Sequence, residues 1–344
     1  MTTYAQIFCT LAELDTDLDI LGSEREMAVY AKIEAASRFL QEEIGWFIPV
    51  TLARTRQGSG EKQMFIPPLL SVVSIVNDTD TLTTSDYKLG PEQPHWPNGP
   101  YSWLEVLPDA SNLFTWSSDI DGVIITGKWG LYDHIKDTGA NVGTGGQTDS
   151  VTSLLLTDGS KLSPGMVVKI ESEQQLVTAT GSPTDAGADL GAAITDAQET
   201  LITLDDASKV NIGETIRVDL EQMKVLDTNT STNQAYVVRG WNKTLATTHA
   251  NDTDVYVYRT FTVERGVNGT TAAAHNAATD IYQQMIPADV NQLCKKIAGR
   301  MLKDAKGGFA GLIGDEMTGM ARYLYILPHE LDEIKKNYII HTAG

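Results

Sequence analysis

Residues 286–306 read IPADVNQLCKKIAGRMLKDAK, and the spacing within them decides the fold. Pro287 suits a first helical turn, where a missing N–H costs no hydrogen bond. Apolar residues recur at Val290, Leu293, Cys294, Ile297, Ala298, Met301, Leu302 and Ala305, which is one wide face of an α-helix, and Gly307-Gly308 ends it. The opposite side carries Lys295, Lys296, Arg300, Lys303 and Lys306. A helix this amphipathic is stable only when its apolar face is covered. Its best partner lies far away, near the N-terminus, and most of the chain between reads as β structure. The pattern predicts an α+β protein: a small helical core built from both ends of the chain, a β-sheet segment, and an inserted pair of β-rich, sandwich- or barrel-like repeat domains.

The partner is residues 23–45. Ser23 and Glu26 form a capping-box pattern, and two stripes follow, one of Val29, Ile33, Ala36, Leu40 and Ile44, the other of Ala28, Ala31, Ala35 and Phe39. Either this helix packs on its own core and on a neighbour, or both stripes form one broad core face. Ahead of it, 4–14 reads as a short amphipathic helix and 15–22 as an acidic turn. Residues 47–129 read as strands and turns, with Pro67-Pro68 forcing an extended conformation and Pro94, Pro97 and Pro100 stiffening a loop.

The middle contains a repeat. Residues 153–180 (SLLLTDGSKLSPGMVVKIESEQQLVTAT) match 200–229 (TLITLDDASKVNIGETIRVDLEQMKVLDTN). Residues 237–257 and 262–283 share V-x-R-G-x-N-x-T-x-x-x-x-H-x-x-x-T-D-[VI]-Y without a gap. The four halves run front, front, back, back, whereas tandem domains would run front, back, front, back. A nested insertion is the simplest reading. It places a helical core with a β segment at 1–140 plus 284–344, an outer β domain at 150–180 plus 261–283, an inner one at 199–258, and a Gly/Ala/Asp linker at 181–198. The competing reading is one continuous sandwich. On the nested reading the middle is decoration, and removing 145–283 would leave a folded core.

The formal net charge is −19. That argues against nonspecific binding to a duplex surface or an anionic membrane, though not against DNA passing through an acid-walled opening. Cys9 and Cys294 lack metal-ligand spacing and read as buried free thiols of a reducing compartment. No targeting signal and no long apolar run is present, which predicts a soluble protein made in the cytoplasm.

Motifs of catalysis are missing from the sequence: no phosphate-binding loop, dinucleotide fingerprint, zinc-protease helix or nucleophile elbow. His249 and His275 occupy equivalent repeat positions and, with Arg239 and Arg265, read as fixing a repeated turn. The Asp15/Asp17/Asp19, Asp78/Asp80 and Asp119/Asp121 clusters lack the frame of a calcium loop and read as solvated turns. No catalytic residue, metal ligand or cofactor is expected. The basic face of 286–306 (Lys295, Lys296, Arg300, Lys303) lines a passage for DNA, pairs with a neighbouring subunit, or is solvated.

Outside the repeats, an ordered series of segments resembles the small head-tail connector (adaptor) proteins of tailed bacteriophages. The series is AKIEAASRFLQEEIG (31–45), FIPPLLSVVSIVND (65–78), SDYKLGP (85–91), PYSWLEVLP (100–108), VIITGKWGLYD (123–133), IPADVNQLCKKIAGRMLKD (286–304) and YILPHELDEIKKNY (325–338). It covers about 1–135 and 286–344, and departs from the family between about 140 and 285, where small adaptors have a short loop. The resemblance implies a structural virion protein of the neck, assembled in the host cytoplasm. It implies a homo-oligomeric ring of about twelve copies, joined by heterologous contacts, beneath the portal protein. That ring extends the DNA channel without binding DNA specifically and offers a platform to the next neck or tail protein. Portal docking by C-terminal segments falls, by position, on Tyr338, Ile339 and Ile340. A carbohydrate-binding or adhesion module, resting on the β repeats and an exposed Trp241, is the alternative. A cell-wall hydrolase is a third, without recognisable catalytic groups.

Overall fold

The computed structural model describes residues 4–21, 24–92, 100–111, 113–306, 312–313, 321–322 and 328–338. The chain is α+β, with four helices and three six-stranded antiparallel sheets among these residues. No helix among them is long and apolar enough to cross a membrane.

The two ends of the chain meet. Helix α1 (Leu11–Leu18), α2 (Glu26–Ile44), α3 (Ala288–Lys306) and α4 (Pro328–Tyr338) surround one apolar cluster. Val29, Ile33, Ala36 and Leu40 of α2 face Val290, Leu293, Cys294, Ile297 and Ala298 of α3, all buried. Each fully buried Ile or Leu there contributes ~2 kcal/mol over an exposed one. Of the second stripe of α2 only Phe39 packs against this cluster; Ala28, Ala31 and Ala35 are exposed, while Tyr30 and Ser37 are buried in their place.

Two sequence expectations near the N-terminus are overturned. Residues 4–10 are not helical. Helix formation begins at Leu11, because Thr10 and Glu13 form the capping box. The preceding segment is held extended by side chains: Gln6 Oε1 accepts from the Phe47 and Ile48 amides at 3.0 Å each, and its Nε2 donates to the Ile48 carbonyl at 2.7 Å. Likewise α2 is not capped from within. Its N-cap is Arg25, without a side-chain bond, and the Glu26 amide instead donates to Asn242 Oδ1 at 2.8 Å, from a residue far along the chain.

The first sheet contains β1 (Val50–Arg56), β2 (Gln63–Asn77), β3 (Asp80–Thr81), β4 (Tyr87–Gly90), β5 (Tyr101–Val106) and β6 (Val123–Trp129). Its order is β1-β6-β2-β5-β4, with β3 paired to β2. Trp116, Trp129, Leu104, Ile125 and Ile75 fill its core.

The repeats form two barrels. The chain enters the first through β7 (Ile135–Asn141), β8 (Ser153–Leu155), β9 (Val167–Ile170) and β10 (Glu173–Thr180). It then builds the second entirely, from β11 (Thr184–Asp189), β12 (Leu201–Thr203), β13 (Thr215–Val218), β14 (Glu221–Asn229), β15 (Gln234–Trp241) and β16 (Asp254–Val257). It returns to the first with β17 (Thr260–Glu264) and β18 (Asp280–Gln284). The strand orders are β7-β18-β9-β10-β17-β8 and β11-β16-β13-β14-β15-β12, equivalent strand for strand. Each closes on itself, through bridges Val142↔Leu156 and Leu190↔Leu204. Closure removes the free edges that invite aggregation.

The barrel limits differ from the sequence reading, which began the outer domain at 150 and the inner one at 199. The segment 181–198 is no linker, since it holds β11. The overlooked signal is a third repeated piece, D-x-G-A-[ND]-[VL]-G at 137–143 and 185–191. In it Gly139 (φ 70°) and Gly187 (φ 69°) donate their amides to Asp137 and Asp185 Oδ1, at 2.8 and 2.7 Å.

The outer barrel is also not decoration. Val167, Leu176 and Val267 belong to the same apolar cluster as Ile33 and Ile297, and so does Trp241 of the inner barrel. The Leu11 amide donates to the Pro164 carbonyl at 2.9 Å and the Ala12 amide to Ser163 Oγ at 2.9 Å. Replacing 145–283 by a short Gly/Ser linker is therefore expected to abolish the core's cooperative thermal transition, measured by calorimetry. Survival of that transition would show the helices to be self-sufficient.

Candidate functional site

The repeated R-G-x-N-x-T motif forms the tip of each barrel that meets the helices. Gly240 and Asn242 (φ 66° and 53°), like Gly266 and Asn268 (φ 61° and 56°), take the left-handed conformation that glycine and asparagine tolerate best. The following threonine steadies the tip: Thr244 Oγ1 accepts from the Gln222 amide and Thr270 Oγ1 from the Gln174 amide, both at 3.0 Å. The asparagine then binds the helical core. Asn268 Oδ1 accepts from the Ala5 amide at 2.8 Å, and its Nδ2 donates to the Ala5 carbonyl and to Gln174 Oε1. Asn242 makes the corresponding bond to the first turn of α2. The residue between Gly and Asn, Trp241 or Val267, enters the apolar cluster. Trp241 is only 9% exposed, so it offers no platform for a sugar ring, contrary to the exposure expected of it.

Behind each tip lies a buried ionic cluster. Arg265 grips Glu173 with Nε and Nη2 at 2.7 Å each, and donates to the Thr148, Val151 and Ala273 carbonyls. His275 sits between Glu173 and Glu171, at 2.7 and 2.9 Å. Arg239, Glu221, His249 and Asp219 repeat this in the inner barrel, with Nε and Nη2 again at 2.7 Å from Glu221. The sequence reading paired His and Arg with their turn and omitted the carboxylate that organises them, the Glu of each Glu-Gln pair. Burial alone would raise the Glu173 carboxyl. Arg265, His275 and the Ala273 and Gly266 amides outweigh it and hold Glu173 at about 2. Against the same cost of burial, Arg239, His249 and the Thr247 and Gly240 amides lower Glu221. Arg, Glu and His of each cluster are buried and mutually paired, while Glu171 and Asp219 cap the histidines from the surface, so the clusters pin the loops that carry them.

Three of the four cations predicted for the basic face of α3 pair within the chain. Lys295 is buried and lies 2.7 Å from Asp17. Lys296 and Arg300 both reach Glu330 of α4, at 3.2 and 2.8 Å. Lys303 is exposed. The sequence reading did not place α4 against α3 and so missed these intrachain partners of Lys295, Lys296 and Arg300. Tyr338 is likewise engaged: it packs edge-on against Phe47, donates its hydroxyl to Asp289 at 2.8 Å, and is raised by burial and by Asp289. Ile339 and Ile340 lie outside the described residues.

Among the described residues no group of three or more His, Cys, Asp or Glu side chains is arranged to hold a metal ion. Asp15 accepts from the Ile20 and Leu21 amides, ending α1. Cys9 and Cys294 are buried free thiols 3.3 Å apart, and their contact, with burial, raises Cys9. No family model matches the chain, and no curated protein or solved structure matches it.

Two outcomes are expected. Asn268→Ala strands buried donors and acceptors and should cost ~2–3 kcal/mol in urea unfolding, against ~1 kcal/mol for Asn242→Ala, which removes one helix cap. Because Glu173 lies below its ordinary 4.5, its contribution is complete above that pH. It is lost as pH falls toward about 2, by ~3 kcal/mol in all. Melting temperature should drop across that window, and Glu173→Gln, already weaker at neutral pH, should lose less.

Proposed function

We propose that the protein is a structural component of a tailed-phage neck: a ring-forming head-tail adaptor that binds beneath the portal, extends the DNA channel and carries the next neck or tail protein, without catalysis. The observation that carries this reading is the meeting of the two sequence blocks that resemble connectors. They are separated by both barrels, yet α2 and α3 bury Ile33 and Ile297 in one cluster. A chance likeness of scattered segments would carry no such requirement.

The charge supports the same role. Lys295, Lys296 and Arg300 are held by carboxylates of the same chain, and a chain of net charge −19 lets DNA slide past without adhesion. Portal contact falls to Ile339 and Ile340, since Tyr338 is held inside its own subunit. The barrels stand on the part of the chain that small adaptors lack, and the inner one carries exposed Leu220 and Leu245.

Electron microscopy of the purified protein mixed with its portal tests this. A coaxial ring on the portal is the expected image. Failure to bind the portal at any salt concentration, by a correctly folded protein, would sink the reading.

A further inference from the structure

A cavity of about 680 Å³ opens where the end of α2, β1, the start of β2 and the end of β6 converge. Its lining is aromatic and proline-rich, with Trp46, Trp129, Phe65 and Pro67, and it contains two arginines. Arg54 and Arg56 are alternate residues of β1 and so share one face of the strand. The Arg54 guanidinium lies 4.7 Å from the Trp46 ring centre and 4.8 Å from that of Trp129. Arg56 Nε and Nη1 are shielded from solvent and have no hydrogen-bond partner. Neither arginine makes an ion pair among the described residues. Burial lowers both guanidinium groups, and the charge of Arg56 lowers Arg54 further.

Among the described residues Arg217 Nε is likewise shielded and unpartnered, but its guanidinium lies singly over the Tyr256 ring, and the other part-buried or buried arginines of the barrels are matched. Arg239, Arg259 and Arg265 each grip a buried glutamate through two nitrogens. Buried donors left without acceptors are rare in native proteins and point to a missing partner. The fork of a guanidinium fits a carboxylate best, and the aromatic walls fit an apolar side chain beside it.

The chain itself displays that combination. In the turn before β6, Ile120 is 82% exposed and is flanked by exposed Asp119 and Asp121. Neither aspartate makes an ion pair among the described residues. The turn is already shaped: the Asp119 amide donates to Ser117 Oγ at 3.2 Å, the Gly122 amide to the Asp119 carbonyl at 3.1 Å, and Asp121 is left-handed at φ 62°. Pre-shaping lowers the entropic cost of docking.

We propose that the cavity receives the Asp119-Ile120-Asp121 turn of a second copy of this chain, with Ile120 against the aromatic walls and the aspartates on Arg54 and Arg56. A turn entering a cavity joins two different patches, the heterologous kind of contact that closes into a ring when the rotation permits. The inference rests on the ring-forming part of the function proposed above and does not involve the portal.

The test is a charge exchange read by size-exclusion chromatography with light scattering. The parent protein is expected to self-associate as concentration rises. Arg54→Glu/Arg56→Glu and Asp119→Lys/Asp121→Lys should each abolish association, an equimolar mixture of the two should restore it, and so should all four changes in one chain. Ile120→Ser, at an exposed position that folding does not need, should weaken association by about tenfold or more. Asp119→Asn and Asp121→Asn, also at exposed positions, should weaken it in the same direction if the arginine variants fail to fold. A parent that stays monomeric throughout overturns the inference. So does association indifferent to Ile120→Ser and to the aspartate changes. In either case the portal image still judges the adaptor reading separately.

Discussion

One apolar cluster has to be closed from four sides at once. Helices α2 and α3 supply two of them, and the residue between Gly and Asn in each barrel tip, Val267 or Trp241, plugs the others. Amphipathic helices of 19 residues are marginal without a covered face, and the first sheet cannot supply that cover, because its interior is a separate cluster. The barrels therefore act as walls of the helical core. Hydrogen bonding enforces the same arrangement, for the asparagine beside each plug satisfies a backbone amide that burial would otherwise strand.

The nested connectivity follows from where a hairpin can be opened cheaply. In the inner barrel β14 passes to β15 through a short turn. The equivalent connection in the outer barrel, β10 to β17, contains the whole inner barrel, yet its ends still touch: the Gly181 amide donates to the Thr260 carbonyl at 2.8 Å. Insertion between neighbouring points at a loop tip leaves the host's register intact. The inner barrel is then fastened rather than left hanging. Glu214 Oε1 accepts from the Gly159 amide at 2.9 Å while Arg259 grips its carboxylate. Glu26 reaches back from α2 to the amide and hydroxyl of Thr180.

What the sequence could reveal tracks how local the cause is. Periodicity marked α2 and α3, since a face that must be buried repeats along the helix that carries it. The gap-free R-G-x-N-x-T frame marked the barrels, since both copies meet the same geometric demand. The start of α1 was misread because residues 4–10 have an amphipathic spacing, but their burial is in extended form, gripped by Gln6 and Asn268. The cap of α2 was misread because a local serine pattern looked sufficient, and the true acceptor, Asn242, is more than 200 residues away (|i−j| = 216). Likewise Glu330 of α4 binds Lys296 and Arg300 of α3, a pairing set by the packing of the two helices. Pairings set by tertiary contact leave no spacing rule to read.

Charge ties these features together. The chain has 45 acidic residues against 26 lysines and arginines, and several of those cations serve as internal fasteners: Arg239 and Arg265 inside barrel walls, Arg259 between barrels, Lys295, Lys296 and Arg300 between helices. Because these cations are met by carboxylates of the same chain, the net charge of −19 is carried by the remaining side chains. Identical acidic surfaces repel, so copies of such a chain can meet only where positive charge is concentrated and partly screened from water, which strengthens it. Among the described residues, Arg54 and Arg56 are where that condition is met, in a cavity with aromatic walls. On the proposed function, an acidic exterior that discourages DNA from sticking and a cationic cavity that would select one acidic turn follow from the same allocation of charge.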